Sequence, residues 1–200
     1  ESKGETFATD VKSDAFTAVT ELSVFAPNHP RLLALFAGAC ASAGANIVGA
    51  HISTTRDDFA LDTFLLQRSF EHDEDEKRRA ARIGDIIAKR LRGEVRFDAL
   101  LAKRKDQSAA AKKTFQVVPE IIIDNALSDN LTVIEVSGLD RPGLLYELTS
   151  AISDLSLDIN SAHITTFGEK AVDVFYVTDL TKKKITSESR QKAIRDRSEE

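Results

Sequence analysis

The chain has 200 residues but no methionine, no tryptophan, two tyrosines, four prolines and a single cysteine. One cysteine, Cys40, excludes an intramolecular disulfide and every metal site built on several thiolates. Its place in an apolar helical stretch fits a reducing, cytosolic setting. No apolar run approaches the roughly 20 residues of a membrane-spanning helix, and the opening Glu1-Ser2-Lys3-Gly4-Glu5 has none of the layout of a signal peptide. A soluble, cytoplasmic protein without a membrane partner is expected. Basic residues are outnumbered, 27 against 32, for a net charge of −5, so no general positive field is present to hold nucleic acid. The missing initiator methionine leads to the expectation that the chain is a segment of something longer.

Also missing are the short motifs of phosphate, dinucleotide, zinc and serine-nucleophile chemistry: GxxxxGKS/T, GxGxxG, HExxH, GxSxG and CxxC do not occur. What the chain has instead is a repeat. Residues 30–54, PRLLALFAGACASAGANIVGAHIST, return 112 positions further on as PGLLYELTSAISDLSLDINSAHITT. Pro30, Leu32, Leu33, Ile47, Ala50, His51, Ile52 and Thr54 meet Pro142, Leu144, Leu145, Ile159, Ala162, His163, Ile164 and Thr166 without a gap. ALDTF from Ala60 then answers AVDVF from Ala171 at an offset of 111, the mark of a hairpin turn of altered length. With 42% hydrophobic content and this repeat, two small units are expected rather than one large domain.

Each unit opens with a strand, Ala18 to Ala26 or Leu131 to Gly138, followed by a short loop and a helix with proline in its first turn. Leu144, Leu148, Ile152 and Leu155 mark one apolar helix face, as do Leu32, Phe36, Ala39 and Ala43, with Gly44 as a natural C-terminal cap. Two further strands follow, Asn46 to Thr54 with Phe59 to Gln67, and Asp158 to Thr166 with Ala171 to Thr178. In the first unit Glu74 to Leu91 reads as a second amphipathic helix and Thr114 to Ile123 as a fourth strand, at a sheet edge because of Pro119. The expected fold is α+β: two ferredoxin-like βαββαβ units in tandem. The expected limits are an N-terminal tail 1–16, a first unit 17–126 with an exposed charged insertion at about 96–113, and a second unit 127–200 that stops short of its fourth strand. Such a gap would expose a sheet edge, so dimerisation or disorder is expected near Ser187 to Glu200.

Among polar residues, His51 and His163 fall at equivalent strand positions on the less apolar face. They accompany no further His or Cys in sequence, so a contact across packed sheets is the plainer reading than a metal or pH-sensing pair. Asp62 and Asp173 are likewise equivalent, each serving its own copy. The stronger candidate is the loop before each first helix. A helix N-terminus offers unbonded N–H groups to an anion, Gly143 removes a blocking side chain, and Asp140 is placed to cap the helix or receive an ammonium group. Together these suit the zwitterionic head of a free amino acid.

LDRPGLLYELTSAISDLSLDINSAHITTFGEKAVDVFYVTD, Leu139 to Asp179, and APNHPRLLALFAGACASAGANIVGAHISTT with its following ALDTF resemble the ACT domain, a small βαββαβ amino-acid-sensing module. They are most similar to the ACT repeats of the bifunctional enzyme family that attaches UMP to the PII nitrogen-signalling protein and removes it. The resemblance implies a glutamine-sensing module with ACT–ACT pairing or a homodimer. PII would be the partner of the whole enzyme, no nucleic acid would be bound, and magnesium or manganese would sit only in catalytic domains outside this segment, which is itself non-catalytic and cofactor-free. ACT units commonly bind ligand where the first loop of one meets the second strand of another. This selects Asp140, Arg141, Pro142 and Gly143 with Asp158, Ile159 and Asn160, and in the first copy Asn28, His29, Pro30 and Arg31 with Asn46 and Ile47. Arg31 in place of glycine makes the first copy's loop the weaker candidate. The rivals are an ACT-repeat module that binds another amino acid or only associates, and an enzyme built on Asp62, Asp173 and the two histidines.

Overall fold

The computed structural model describes residues 7–29, 31–94, 120–141 and 143–198; the charged insertion and the two site prolines, Pro30 and Pro142, lie outside them. The strands are β1 (Ala8–Asp14), β2 (Val19–Pro27), β3 (Ile47–Thr54), β4 (Phe59–Gln67), β5 (Glu120–Asp124), β6 (Thr132–Leu139), β7 (Leu157–Phe167) and β8 (Lys170–Asp179). The helices are α1 (Leu32–Ser42), α2 (Asp73–Leu91), α3 (Leu144–Asp154) and α4 (Glu188–Ser198). All eight strands form one antiparallel sheet in the order β1-β2-β4-β3-β7-β8-β6-β5. The order reads the same from either edge, so the ACT-like units pair within the chain through β3 and β7, about a pseudo-twofold axis that passes between His51 and its direct partner His163.

Alternation in the strands decides which side is covered. Leu22, Val24 and Ala26 of β2, Phe64 and Leu66 of β4, Ile134 and Val136 of β6, and Phe175 and Val177 of β8 point to the helices and are buried. Phe36 of α1 meets Phe64 edge to face, 6.0 Å between centroids. The expectation of one buried face per helix holds for α3. It fails for α1, whose Leu32, Leu33, Ala34, Phe36, Ala37, Gly38, Ala39, Cys40 and Ala41 are all buried, because α1 lies between α2 and α3 as well as on the sheet. Helix α1 ends at Gly44 in the left-handed region, φ 73, with Ala45 N–H donating back to the Cys40 carbonyl at 2.9 Å. Ser156, φ 57, stands at the same place after α3.

Three expectations are corrected. The supposed tail contains β1, which pairs along its whole length with β2. The described part of the expected fourth strand, β5, pairs with β6 and not with the first unit. Each unit therefore reads ββαββα, the edge strand coming first in the chain but lying where the last strand of a βαββαβ unit would lie. Among the described residues each element of the first unit then has its counterpart in the second. Glu188–Ser198 forms α4, with Ile194, and Ile185 before it, in the core, where disorder was one of the two expectations. The physical reason is proximity: β5 and β6 are joined by a short turn, and sequential antiparallel strands usually pair as a hairpin.

Candidate functional site

The pseudo-twofold axis brings each pre-helix loop against the other unit. The second unit's loop faces β3: Asp140, Arg141, Gly143, Leu144 and Leu145 line a cleft with Asn46 and Ile47, closed below by Ile164, Thr166, Ala171 and Asp173 and above by Ala37, Ala41 and Ala45. Asn46 Nδ2 donates to Asp140 Oδ2 across the unit boundary at 3.2 Å. The first unit's loop faces β7 in a matching cleft lined by Asn28, His29, Leu32, Leu33, Ile52, Thr54, Ala60, Asp62 and Ile159. Each cleft thus combines one copy's loop with the other copy's strand. Asp140 and Gly143 belong with Asn46 and Ile47, and Asn28 and His29 belong with Ile159.

A bulge sits at the same place in both strands, between Ile47 and Gly49 and between Ile159 and Ser161, where it turns the strand end towards the facing loop. Two expected site residues are used elsewhere. Asp158 is buried and paired with Lys182, and Asn160 donates to the Thr178 hydroxyl at 3.4 Å. Arg141 pairs with Glu147 of its own helix.

Gly143 takes φ 89 as the residue before α3, and no side chain caps that helix; its first-turn N–H groups have no partner within the helix. Arg31, at the same place before α1, has φ −102 and reaches across to Asp154 of α3. An open trough of about 530 Å³ runs beside this pair, bordered by His29, Leu35, Leu91, Tyr146 and Ser150. The Asp140 cleft is far smaller, about 20 Å³, roughly the space of one water molecule. It nevertheless carries the denser chemistry: Asp173 Oδ1 and Thr166 Oγ1 are both buried without a hydrogen-bond partner among the described residues, whereas in the matching cleft Asp62 Oδ1 alone is. Burial, and then the neighbouring Asp140 carboxylate, push the Asp173 carboxyl up to about 7. Burial likewise pushes Asp62 to about 7, opposed by an N–H of Ser53.

The sequence pattern contained a signal for this pair: an acid stands on the apolar face of β8 between Ala171 and Phe175, and another on β4 between Ala60 and Phe64. His51 and His163 come together as a cross-strand pair, 5.3 Å between ring centroids, with Tyr176 edge-on to His163. They lie in one sheet, not between packed sheets, and on the side away from both clefts. No three His, Cys, Asp or Glu side chains gather as a metal site among the described residues. No helix among those residues is long and apolar enough to cross a membrane.

Residues 127–198 match the family model of the ACR family N-terminal ACT domain. Over 195 residues, 98% of this chain, the sequence is 55% identical to a bifunctional uridylyltransferase/uridylyl-removing enzyme from Bradyrhizobium diazoefficiens, of which it spans 21%. An aspartate kinase from Synechocystis is similar in structure at a TM-score of 0.43 and 14% identity, over 82% of this chain and 24% of that one. Residues 127–198 are thus similar to an ACT domain of the ACR type, within a segment similar along nearly its whole length to part of a bifunctional uridylyltransferase/uridylyl-removing enzyme.

Proposed function

We propose that this segment is the regulatory module of a cytoplasmic enzyme that adds UMP to PII and removes it, and that the ligand it senses is glutamine. The observation that carries the reading is the Asp140 cleft, whose walls come from both units. A ligand seated there touches two bodies at once, so its affinity depends on how they are placed relative to each other, and only such differential affinity can shift a conformational equilibrium. Glutamine favours the arrangement in which removal of UMP outpaces addition. Catalysis, and the magnesium or manganese that nucleotidyl transfer uses, belong to domains outside this segment. Because the cleft is closed to about one water, ligand entry requires α1 and the Asp140 loop to part, and that movement is the signal.

Isothermal titration of the folded chain with glutamine, against glutamate and asparagine, tests the reading. Saturable binding selective for glutamine is expected, and titration heats no larger than dilution would end it.

A further inference from the structure

The two clefts are equivalent in fold but unequal in chemistry. Asp62 and Asp173 occupy matching positions and are 1% and 2% exposed. Each has an Oδ1 buried without a hydrogen-bond partner among the described residues, but the charged neighbour of Asp173 is another carboxylate, Asp140, where the Asp62 cleft has Asn28 at the matching place. Thr166 Oγ1 in the Asp140 cleft is buried without a partner among the described residues, whereas Thr54, its counterpart in the other cleft, is exposed. One cleft therefore gathers three oxygen acceptors, from Asp140, Asp173 and Thr166. Arg141, the cation at its rim, is engaged with Glu147. Buried acceptors without donors are costly, and a primary ammonium group brings three N–H donors and a positive charge.

We propose that the Asp140 cleft selects its ligand by a protonated primary amine seated on Asp173, Thr166 and Asp140, with Asp173 the specificity-determining residue, and that the matching Asn28 cleft makes no such selection. This rests on the amino-acid reading above and deepens it: the interior of the cleft reads the amine, leaving the ligand's carboxylate to the uncapped end of α3.

A proton accompanies the binding. The titratable groups beside Asp173 are Asp140 and Arg141 of the loop and Tyr146 of α3; β6 and β7 oppose it with Val136 and Ile164, and α1 contributes alanines. With burial raising its carboxyl to about 7, seating an ammonium group at pH 7 releases part of a proton.

The test is titration of the 200-residue chain with L-glutamine and with glutaramic acid, its analogue without the amine, at pH 7 in two buffers of different ionisation enthalpy. The wild type is expected to prefer glutamine by about ten-fold or more, with proton release. Asp173→Asn is expected to lose glutamine affinity by about ten-fold or more, to lose most of the preference between the two ligands, and to release no proton, while circular dichroism shows it folded. Thr166→Val reduces affinity less, and Asp62→Asn leaves it within about two-fold. If Asp173→Asn binds glutamine as the wild type does, with preference and proton release intact, the unpartnered oxygens serve an internal water and the inference is overturned while the sensor reading stands. If the folded wild type binds neither compound, the sensor reading falls and takes the inference with it.

Discussion

At the scale of single residues, buried carboxylates are handled in opposite ways. Burial by itself would push Glu76 up, yet N–H groups of Ser69 and Phe70 at 2.6 and 2.8 Å, the Thr20 hydroxyl at 3.0 Å and Arg79 at 2.7 Å hold it below its ordinary value. Its stabilisation is therefore present above about pH 4.5 and is lost as pH falls through the lowered value. Glu76→Ala leaves Arg79 buried without its partner and is expected to cost on the order of 3–5 kcal/mol in urea denaturation at pH 7. Asp62 and Asp173 carry the opposite sign. Their folded values of about 7 stand above the ordinary 3.8, so their contribution is complete below about pH 4 and is lost as pH rises through 7. Asp62→Asn and Asp173→Asn should each be more stable than wild type at pH 8, by on the order of 1–4 kcal/mol, with little difference at pH 4. A wild type equally stable at both values, unfolded by urea alongside the variants, would contradict this. The two aspartates were legible as acids on apolar strand faces. Glu76 was not, because nothing in a run of helix charges tells which one the fold turns inward.

At the scale of elements, each helix start decides what its loop offers. Gly143→Ala has room, since the added methyl would lie 3.9 Å from Ala41 Cβ, so the cost comes from φ 89, where a side chain is strained by about 1–3 kcal/mol. The expected result is that loss of stability together with weaker glutamine binding, read by thermal melting and titration. Helix α4 docks through a single buried side chain among the described residues: Ile194 is 2% exposed, and Ile194→Ala should cost about 2–5 kcal/mol. A variant as stable as wild type would mean that α4 does not dock. Strand, helix and turn positions followed from apolar periodicity and the glycine cap, both local properties. Strand β1 escaped notice because it is an edge strand of mixed polarity, ATDVKSD, whose described side chains are mostly exposed.

At the scale of the whole molecule, one sheet and one apolar cluster run through both units. The repeats are therefore expected to unfold together, with equal calorimetric and van't Hoff enthalpies; two resolved transitions would show units that merely touch. The same continuity links the clefts. Strands β3 and β7 each carry one cleft's strand wall and pair directly with one another at the axis, so a ligand that displaces one loop bears on the joint between the units.

By itself the sequence determined that the chain is a duplicated α+β unit, which strand faces are apolar, where the turns fall, and that the loops before Leu32 and Leu144 are the places to look for a ligand. These follow from periodicity, from proline and glycine, and from self-similarity, all of which act over a few residues or within one copy. Only the tertiary structure decided that β5 pairs with β6, that the units join edge to edge, and that Asp140 faces Asn46 of the other copy while Asp158 turns to Lys182. The reason is that strand pairing and cleft formation depend on which edges meet in space. Two equivalent loops become chemically different once one is backed by a carboxylate and a hydroxyl that are both buried without a partner among the described residues, and the other by a single such carboxylate.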